Sequence, residues 1–354
     1  MLGEVKEEKG TGVVLITEYL SQVKDNLVVS DAFTKADSII NNPRFKSALC
    51  SISGGADSDI MLDIIHKVDR DKKVKYVWFN TGLEYRATKD HLLYLEDRYG
   101  ITIERERAIK PIPLCTKEFG QPFLSKSVSD NLERLQTAGF QFENKPYDVL
   151  IKKYPTVSSP LKWWCNEWDK VHVEHYGFSR FSISLHRFLK DFLIENPPPF
   201  KISVACCAYA KKKVGRSIMK RLKVDLSIIG VRQAEGGARA TAYKSCFDDK
   251  NSHHTYANYR PIFWFQDGDK AYYNEKFGIV NSDCYTKWGF KRTGCVGCPY
   301  NKHYAEELEI SNMYEPMMYV ACKNVFKESY EYTQKYREYI KRRKDAEKGK
   351  MWLF

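Results

Sequence analysis

No run of about 18 apolar residues occurs in this 354-residue chain, so no membrane-spanning helix is expected. The stretch from Met1 to Gly12 is charged and glycine-containing, without the apolar core of a secretory signal. A cytoplasmic protein with no membrane partner is therefore expected, and in a reducing compartment disulfides are not. Its ten cysteines then read as thiols, metal ligands or core residues. Internal repeats and low-complexity tracts are missing, and so are the nucleotide fingerprints G-x-x-x-x-G-K-[ST] and G-x-G-x-x-G. Acidic charge is in short supply: 57 Lys and Arg face 45 Asp and Glu, an excess of 12 that fits either an anionic partner such as DNA or RNA or simply a basic surface around a nucleotide pocket.

What is present starts with Ser53-Gly54-Gly55-Ala56-Asp57-Ser58. Before it, Ala48 to Ile52 is an apolar run fit for a buried strand. After it, Ile60, Met61, Ile64, Ile65 and Val68 recur at helical spacing. A strand that breaks at two glycines and restarts as a helix points backbone N–H groups at one spot, where the helix dipole adds positive charge. Such a corner is a phosphate site. A purely structural strand–turn–helix corner would use the same Gly-Gly and an Asp or Ser cap.

Residues 13–40 have a helical pattern, with Leu15, Ile16, Tyr19, Leu20 and Val23 on one face. Strand and helix alternate from about Arg44: Val74–Phe79 reads as a second strand broken by Asn80-Thr81-Gly82, His91–Tyr99 as a helix, and Ile101–Glu104 as a third strand. This alternation predicts a parallel sheet with helices on both faces, its ligands beyond the strands' carboxyl ends. Residues 116–200 are less regular and read as an insertion. Val224–Gly230 is a further buried strand, followed by a glycine-rich loop carrying Arg232 and Arg239, whose guanidinium groups suit phosphate. The expected segments are 1–40 (helical), 41–245 (nucleotide-binding, with the insertion at 116–200) and 246–354 (a cysteine-bearing region and C-terminal helices from about His303 to Lys344).

Cys295-Val296-Gly297-Cys298 puts two thiols on one tight turn. Far upstream, separated by 87 residues, stands the adjacent pair Cys206-Cys207, with Lys211 after three intervening residues. Four thiolates suit either zinc or an iron–sulfur cluster. Cys284 competes with Cys206 for the fourth ligand place beside Cys207, Cys295 and Cys298. Cys165, beside Trp164, is a candidate catalytic thiol, while Cys50, Cys115, Cys246 and Cys322 read as packing residues.

The loop SGGADS resembles the PP-loop, S-G-G-x-D-S, of the adenine nucleotide α-hydrolases. The Cys-Cys-x3-Lys and Cys-x2-Cys runs resemble the [4Fe–4S] motif of APS reductases. Together with Phe79–Tyr85 and Gly230–Glu235, they make residues 45–300 similar to the PAPS reductase family; the spacing Cys284-x10-Cys295-x2-Cys298 is also similar to that of the sulfur enzymes of DNA phosphorothioation. The resemblance implies a Rossmann-like (HUP-type) α/β fold with an irregular cysteine-bearing region and a helical tail. It implies an adenine nucleotide (ATP, APS or PAPS) bound by Ser51, Ser53, Gly54, Gly55, Ala56, Asp57, Ser58, Asn80, Thr81, Gly82, Glu84, Lys211, Arg232 and Arg239. It further implies a [4Fe–4S] cluster and, with ATP, Mg²⁺. PAPS and APS reductases carry their nucleophile on a Glu-Cys-Gly-Leu-His tail; this chain has Lys348-Gly349-Lys350-Met351-Trp352-Leu353-Phe354 there. Three expectations follow. The first is an ATP-using enzyme that adenylates an acceptor, nucleic acid being the candidate, and replaces the adenylate with sulfur from a donor or partner protein, with Asp57 at the catalytic centre. The second is a reductase with its nucleophile relocated to Cys165. The third is a non-catalytic nucleotide-binding subunit.

Overall fold

The computed structural model describes residues 16–168, 174, 182–236, 243–250 and 255–351. They form two compact units, each assembled from separate stretches of chain. One comprises Met1–Phe79, Ala87–Glu106 and Gly215–Thr293; the other comprises Asn80–Arg86, Arg107–Val214 and Gly294–Phe354. The units differ from the contiguous segments expected, because the long connection between two sheet strands carries a core of its own.

The first unit holds a six-stranded sheet in the order β3-β2-β1-β4-β6-β5. Its strands are β1 (Ala48–Ile52), β2 (Val74–Asn80), β3 (Ile103–Arg107), β4 (Leu226–Ile229), β5 (Phe247–Asp248) and β6 (Ala257–Tyr259). β1 is central, running parallel to β2 (Cys50 opposite Tyr76) and to β4 (Cys50 opposite Ile228). β6 extends the sheet in parallel and β5 closes the edge antiparallel. Successive residues of a strand face opposite sides, so the burial of Ala48, Leu49 and Cys50 to 1% exposure or less means that both faces of β1 are covered. The α/β class is as expected. Strands β5 and β6 were not, since runs this short give no alternation to read.

Helix Ala56–Val68 buries Ile60, Met61, Ile64, Ile65 and Val68 in the core of this unit. The helical stretch expected over 13–40 is two helices, Ile16–Gln22 and Leu27–Ile40; residues 13–15 lie outside the described residues. The break falls at Asn26, whose side chain accepts from the Val29 N–H at 3.0 Å and so caps the second helix. Phe33, wholly buried, stacks on Tyr19 and Tyr273 at centroid distances of 5.6 and 6.0 Å.

The second unit is helical. Helices Ile112–Phe119, Lys126–Thr137, Tyr147–Lys153, Ser158–Cys165 and Leu189–Glu195 turn the irregular insertion into an ordered layer. Phe123, Phe140, Trp164, Phe192, Tyr332 and Tyr336 belong to its core, the two tyrosines coming from the terminal helix Lys327–Met351. The tail is three helices, broken at Glu315-Pro316 and at Phe326. No described helix is long and apolar enough to cross a membrane.

Replacing Phe33 by Ala removes a wholly buried ring shared by three elements. It should cost about 3–5 kcal/mol of unfolding free energy, read as a lower urea midpoint with an unchanged slope.

Candidate nucleotide loop and four-cysteine cavity

In the first unit β1 ends at Ile52 and helix Ala56–Val68 starts behind its cap, Gly55. Gly54 has φ +68°, and a Cβ there would stand 2.8 Å from Thr88 Cγ2, so glycine is required twice over. The Ser58 hydroxyl accepts from the backbone N–H groups of Ser53 (3.3 Å) and Gly55 (3.2 Å) and donates to the Gly55 carbonyl (2.9 Å). Ser53 Oγ also accepts from the Gly55 N–H at 3.3 Å. These long bonds hold the turn in shape, and an anionic oxygen would outbid them because bonds to charged acceptors are about twice as strong. Ser51 is half-buried within β1 and Ala56 is the first residue of the helix.

Two cations converge on Asp57. Arg232 Nε donates to Asp57 Oδ2 at 3.1 Å, and Lys270 Nζ lies 2.5 Å from Oδ1. Arg232 also pairs with Asp267 at 3.0 Å and donates to the Phe265 carbonyl at 3.2 Å. Burial works against the Arg232 charge, yet Asp57 and then Asp267 hold its pKa above the ordinary value. Arg239 lies outside the described residues. Sequence reasoning missed Lys270, on helix Asp267–Phe277, because the stretch reads as aromatic loops; the helix start was legible in Gln266-x-x-Asp269, a capping box in which Asp269 accepts the Gln266 N–H at 2.8 Å. It also missed Tyr285 and Thr293, whose hydroxyls lie 3.0 Å apart and would stand 3.0 and 3.1 Å from a Cβ on Gly55. One turn behind the loop, buried Asp59 meets buried His91 at 2.9 Å, and burial raises the Asp59 pKa.

In the second unit one cavity is lined by Cys206, Cys207, Cys295, Cys298 and Lys211, with Ile112, Pro122, Ala210 and Phe326 as apolar walls. Local structure explains the upstream pattern. A short helix, Ala205–Cys207, runs into a π-helical turn, Ala208–Lys212. In that wider winding, which bonds i to i+5, Lys211 comes round to the side of the cysteine pair. Negative charge on Cys295, first, and then on Glu84 and Cys207 raises the Lys211 pKa. Hydrogen bonding from Cys206, helped by Lys126 and Lys211, lowers the Cys207 thiol to about 6, while the shared bond and burial push Cys206 up. Burial pushes Cys298 up to about 12 and raises Cys295 as well.

Of the residues expected at the nucleotide, Asn80, Thr81, Gly82 and Glu84 belong to this second unit. Thr81 Oγ1 stands 2.5 Å from Glu84 Oε1 and 3.5 Å from Cys295 Sγ. Asn80 Oδ1 accepts from the Gly82 N–H at 3.0 Å. Lys211 likewise lines the cysteine cavity. Cys284 is not among the lining residues: it is buried in the first unit, its sulfur 4.0 Å from Thr88 Oγ1. Cys165, the candidate catalytic thiol, ends helix Ser158–Cys165, its thiol donating to the Lys145 carbonyl at 3.7 Å, with burial raising its pKa. Cys50, Cys115 and Cys322 are buried and Cys246 is half-buried.

Residues 47–122, which include SGGADS and Asn80 to Glu84, match the family model of the phosphoadenosine phosphosulfate reductase domain. The resemblance read from the motifs is thus borne out over that segment. No curated protein matches the chain. Among solved structures the chain is similar to the phosphoadenylyl-sulfate reductase of Candida auris in its phosphate complex, at 12% identity, over 80% of this chain and 96% of that one, with a TM-score of 0.40. It is similar to the U34-tRNA thiolase NcsA of Methanococcus maripaludis with its [4Fe-4S] cluster, at 13% identity, over 89% and 80%, with a TM-score of 0.36. It is also similar to the NH3-dependent NAD synthetase of Campylobacter jejuni subsp. jejuni, at 12% identity, over 86% and 94%, with a TM-score of 0.32.

Replacing Gly55 by Val drives a branched side chain toward Tyr285 and Thr293 and fills the mouth of the turn. Nucleotide affinity, followed by calorimetric titration with ATP, should fall beyond detection while far-ultraviolet circular dichroism stays unchanged. An unaltered affinity would remove the loop as the nucleotide site.

Proposed function

We propose that the protein is an iron–sulfur enzyme that binds ATP at the SGGADS loop, adenylates an acceptor oxygen and exchanges the adenylate for sulfur, with nucleic acid as the acceptor. The observation that carries this reading is the grouping of Cys206, Cys207, Cys295 and Cys298 around one cavity in a chain that also holds the nucleotide loop. Among the described residues no three His, Cys, Asp or Glu side chains are drawn together to hold a metal ion. A zinc site gathers its thiolates about 2.3 Å from one centre. Four thiols lining one cavity offer a ligand to each iron of a [4Fe–4S] cluster, and the likeness of the Cys-Cys-x3-Lys and Cys-x2-Cys runs to the APS reductase motif favours that cluster over zinc. The donor set fits: Cys206, Cys207, Cys295 and Cys298 would be its ligands, and Lys211 would offset the negative charge that four thiolates bring. Cys284, buried against Thr88, is left out of the set. When bound, the cluster would supply iron sites at which sulfur can be held for transfer.

The rest falls to the chain's own groups. The N–H groups of Ser53 and Gly55 and the helix start would take phosphate oxygens. Arg232 and Lys270 would pass from Asp57 to the polyphosphate, leaving Asp57 to face the Mg²⁺ that accompanies ATP. The acceptor oxygen then bonds to the α-phosphorus as the bond to pyrophosphate breaks. In the second step sulfide from a separate donor bonds to the acceptor carbon through its lone pair, the carbon–oxygen bond breaks, and AMP leaves with the oxygen. Catalysis of this kind is positioning and charge stabilisation.

A reductase using Cys165 has less support, since its half-buried thiol is pushed away from the thiolate that attack requires.

Protein purified without oxygen should be brown and hold about four irons per chain. Cys298→Ser should lose the colour and Cys284→Ser should keep it; stoichiometric zinc without iron would overturn the cluster. With ATP, Mg²⁺ and a nucleic acid acceptor, pyrophosphate should form, more slowly as salt rises because the partners meet electrostatically. Sulfite released from APS or PAPS, and lost in Cys165→Ser, would instead establish the reductase.

A further inference from the structure

Beside the cysteine cavity, and still within the second unit, two half-buried rings stack face to face. Phe119 and Tyr209 have centroids 5.1 Å apart and planes inclined by 13°. Lys213 Nζ lies 3.5 Å from the Tyr209 centroid and Lys110 Nζ lies 4.7 Å from that of Phe119. Both rings are tied to the cavity through the backbone. Tyr209 sits in the π-helical turn between Cys207 and Lys211, and Phe119 ends the helix whose first residue, Ile112, lines the cavity. Seven residues at 1.5 Å each put Phe119 about 10 Å along the helix from Ile112, and Pro122, three residues further on, lines the cavity again.

Positive charge predominates in the segments that carry the rings, with Glu118, paired with Lys110, as the exception. Lys117, Lys212 and Lys213 are exposed. No acidic residue occurs from Asn196 to Val214, and Glu118, paired with Lys110, is the only one from Arg107 to Ser129. A lysine over a ring occurs in the core too, where Lys190 lies 5.5 Å from the centroid of wholly buried Trp164; here, by contrast, both rings are half-buried and Lys213 is exposed. Aromatic faces set among lysines are the chemistry that takes a base on a ring and its phosphates on the cations.

We infer that Phe119 and Tyr209, with Lys110, Lys212 and Lys213, form the docking platform for a single-stranded nucleic acid. An incoming base displaces the flexible Lys213 from the face of Tyr209 and leaves its ammonium for the adjoining phosphate. Duplex bases are already stacked on one another and have no free face to offer, so the platform selects unpaired nucleotides. This inference rests on the proposed function for the purpose of the binding, and its test is independent of turnover.

Anisotropy of fluorescein-labelled 20-mers, oligo-rU and oligo-dT against a duplex of equal length, reads the full-length protein directly. Tyr209→Ala should weaken single-strand binding about tenfold, Tyr209→Trp should restore it, and the double change Lys212→Ala with Lys213→Ala should flatten the dependence on log salt by about 1.4. Comparing oligo-rU with oligo-dT tells RNA from DNA as the source of the strand. Equal affinity for duplex, or an affinity that Tyr209→Ala leaves unchanged, overturns the platform. Pyrophosphate release stimulated by a small acceptor, with no oligonucleotide bound, refutes the platform and keeps the ATP reading. Platform-dependent binding without pyrophosphate release does the reverse.

Discussion

A central parallel strand with both faces covered has no room for loops along its length, so whatever chemistry it positions must sit at its end. β1 is such a strand. Its carboxyl end meets a helix start after only three residues, Ser53 to Gly55, and that short step sets the whole SGGADS loop. A turn this tight requires the left-handed backbone at Gly54 and leaves no space for a side chain against Thr88. The buried helix behind it, with Ile60, Met61 and Ile64 in the core, fixes where the N–H groups point. Asp57 gathers Arg232 from the loop after β4 and Lys270 from a helix more than two hundred residues downstream.

The second unit works from a different constraint. Thiols facing one cavity need neighbours that tolerate their charge, and Lys211 in the wall, with Lys126 beside Cys207, supplies them among apolar side chains. Glu84 and Thr81 meet each other and Cys295 at that site. Thr81 and Glu84, expected beside a nucleotide, are thus grouped with Cys295 in this unit.

How much was legible in the sequence follows from the range of each interaction. The strand–Gly-Gly–helix corner is local, so its residues were readable from spacing alone, and so were β1, β2 and the helix after the loop. The cysteine pairs were visible as pairs, but whether Cys206 or Cys284 stands with the others depends on a contact across 87 or more residues that no spacing encodes. Lys270, Tyr285 and Thr293 escaped for the same reason. The helices of 116–200 were hidden mostly by length, since Tyr147–Lys153 and Leu189–Glu195 span seven residues each and barely complete a period; the Ser125-capped helix, with Val128, Leu132 and Leu135 at helical spacing, was legible and went unread.

The π-helical turn at Ala208–Lys212 has one more consequence. Such a turn is an α-helix with one residue too many, held open against the tendency to close up. Deleting one residue between Cys207 and Lys211 would let the backbone relax into regular winding, the easier helix to fold. Because the wide turn absorbs its extra residue within one revolution, the helix beyond would stay close to its present phase. What would change is local: Lys211 would stand one residue nearer to Cys207, on a narrower turn. Selection on this segment therefore acts on the length of the chain between Cys207 and Lys211 as much as on the identity of what fills it.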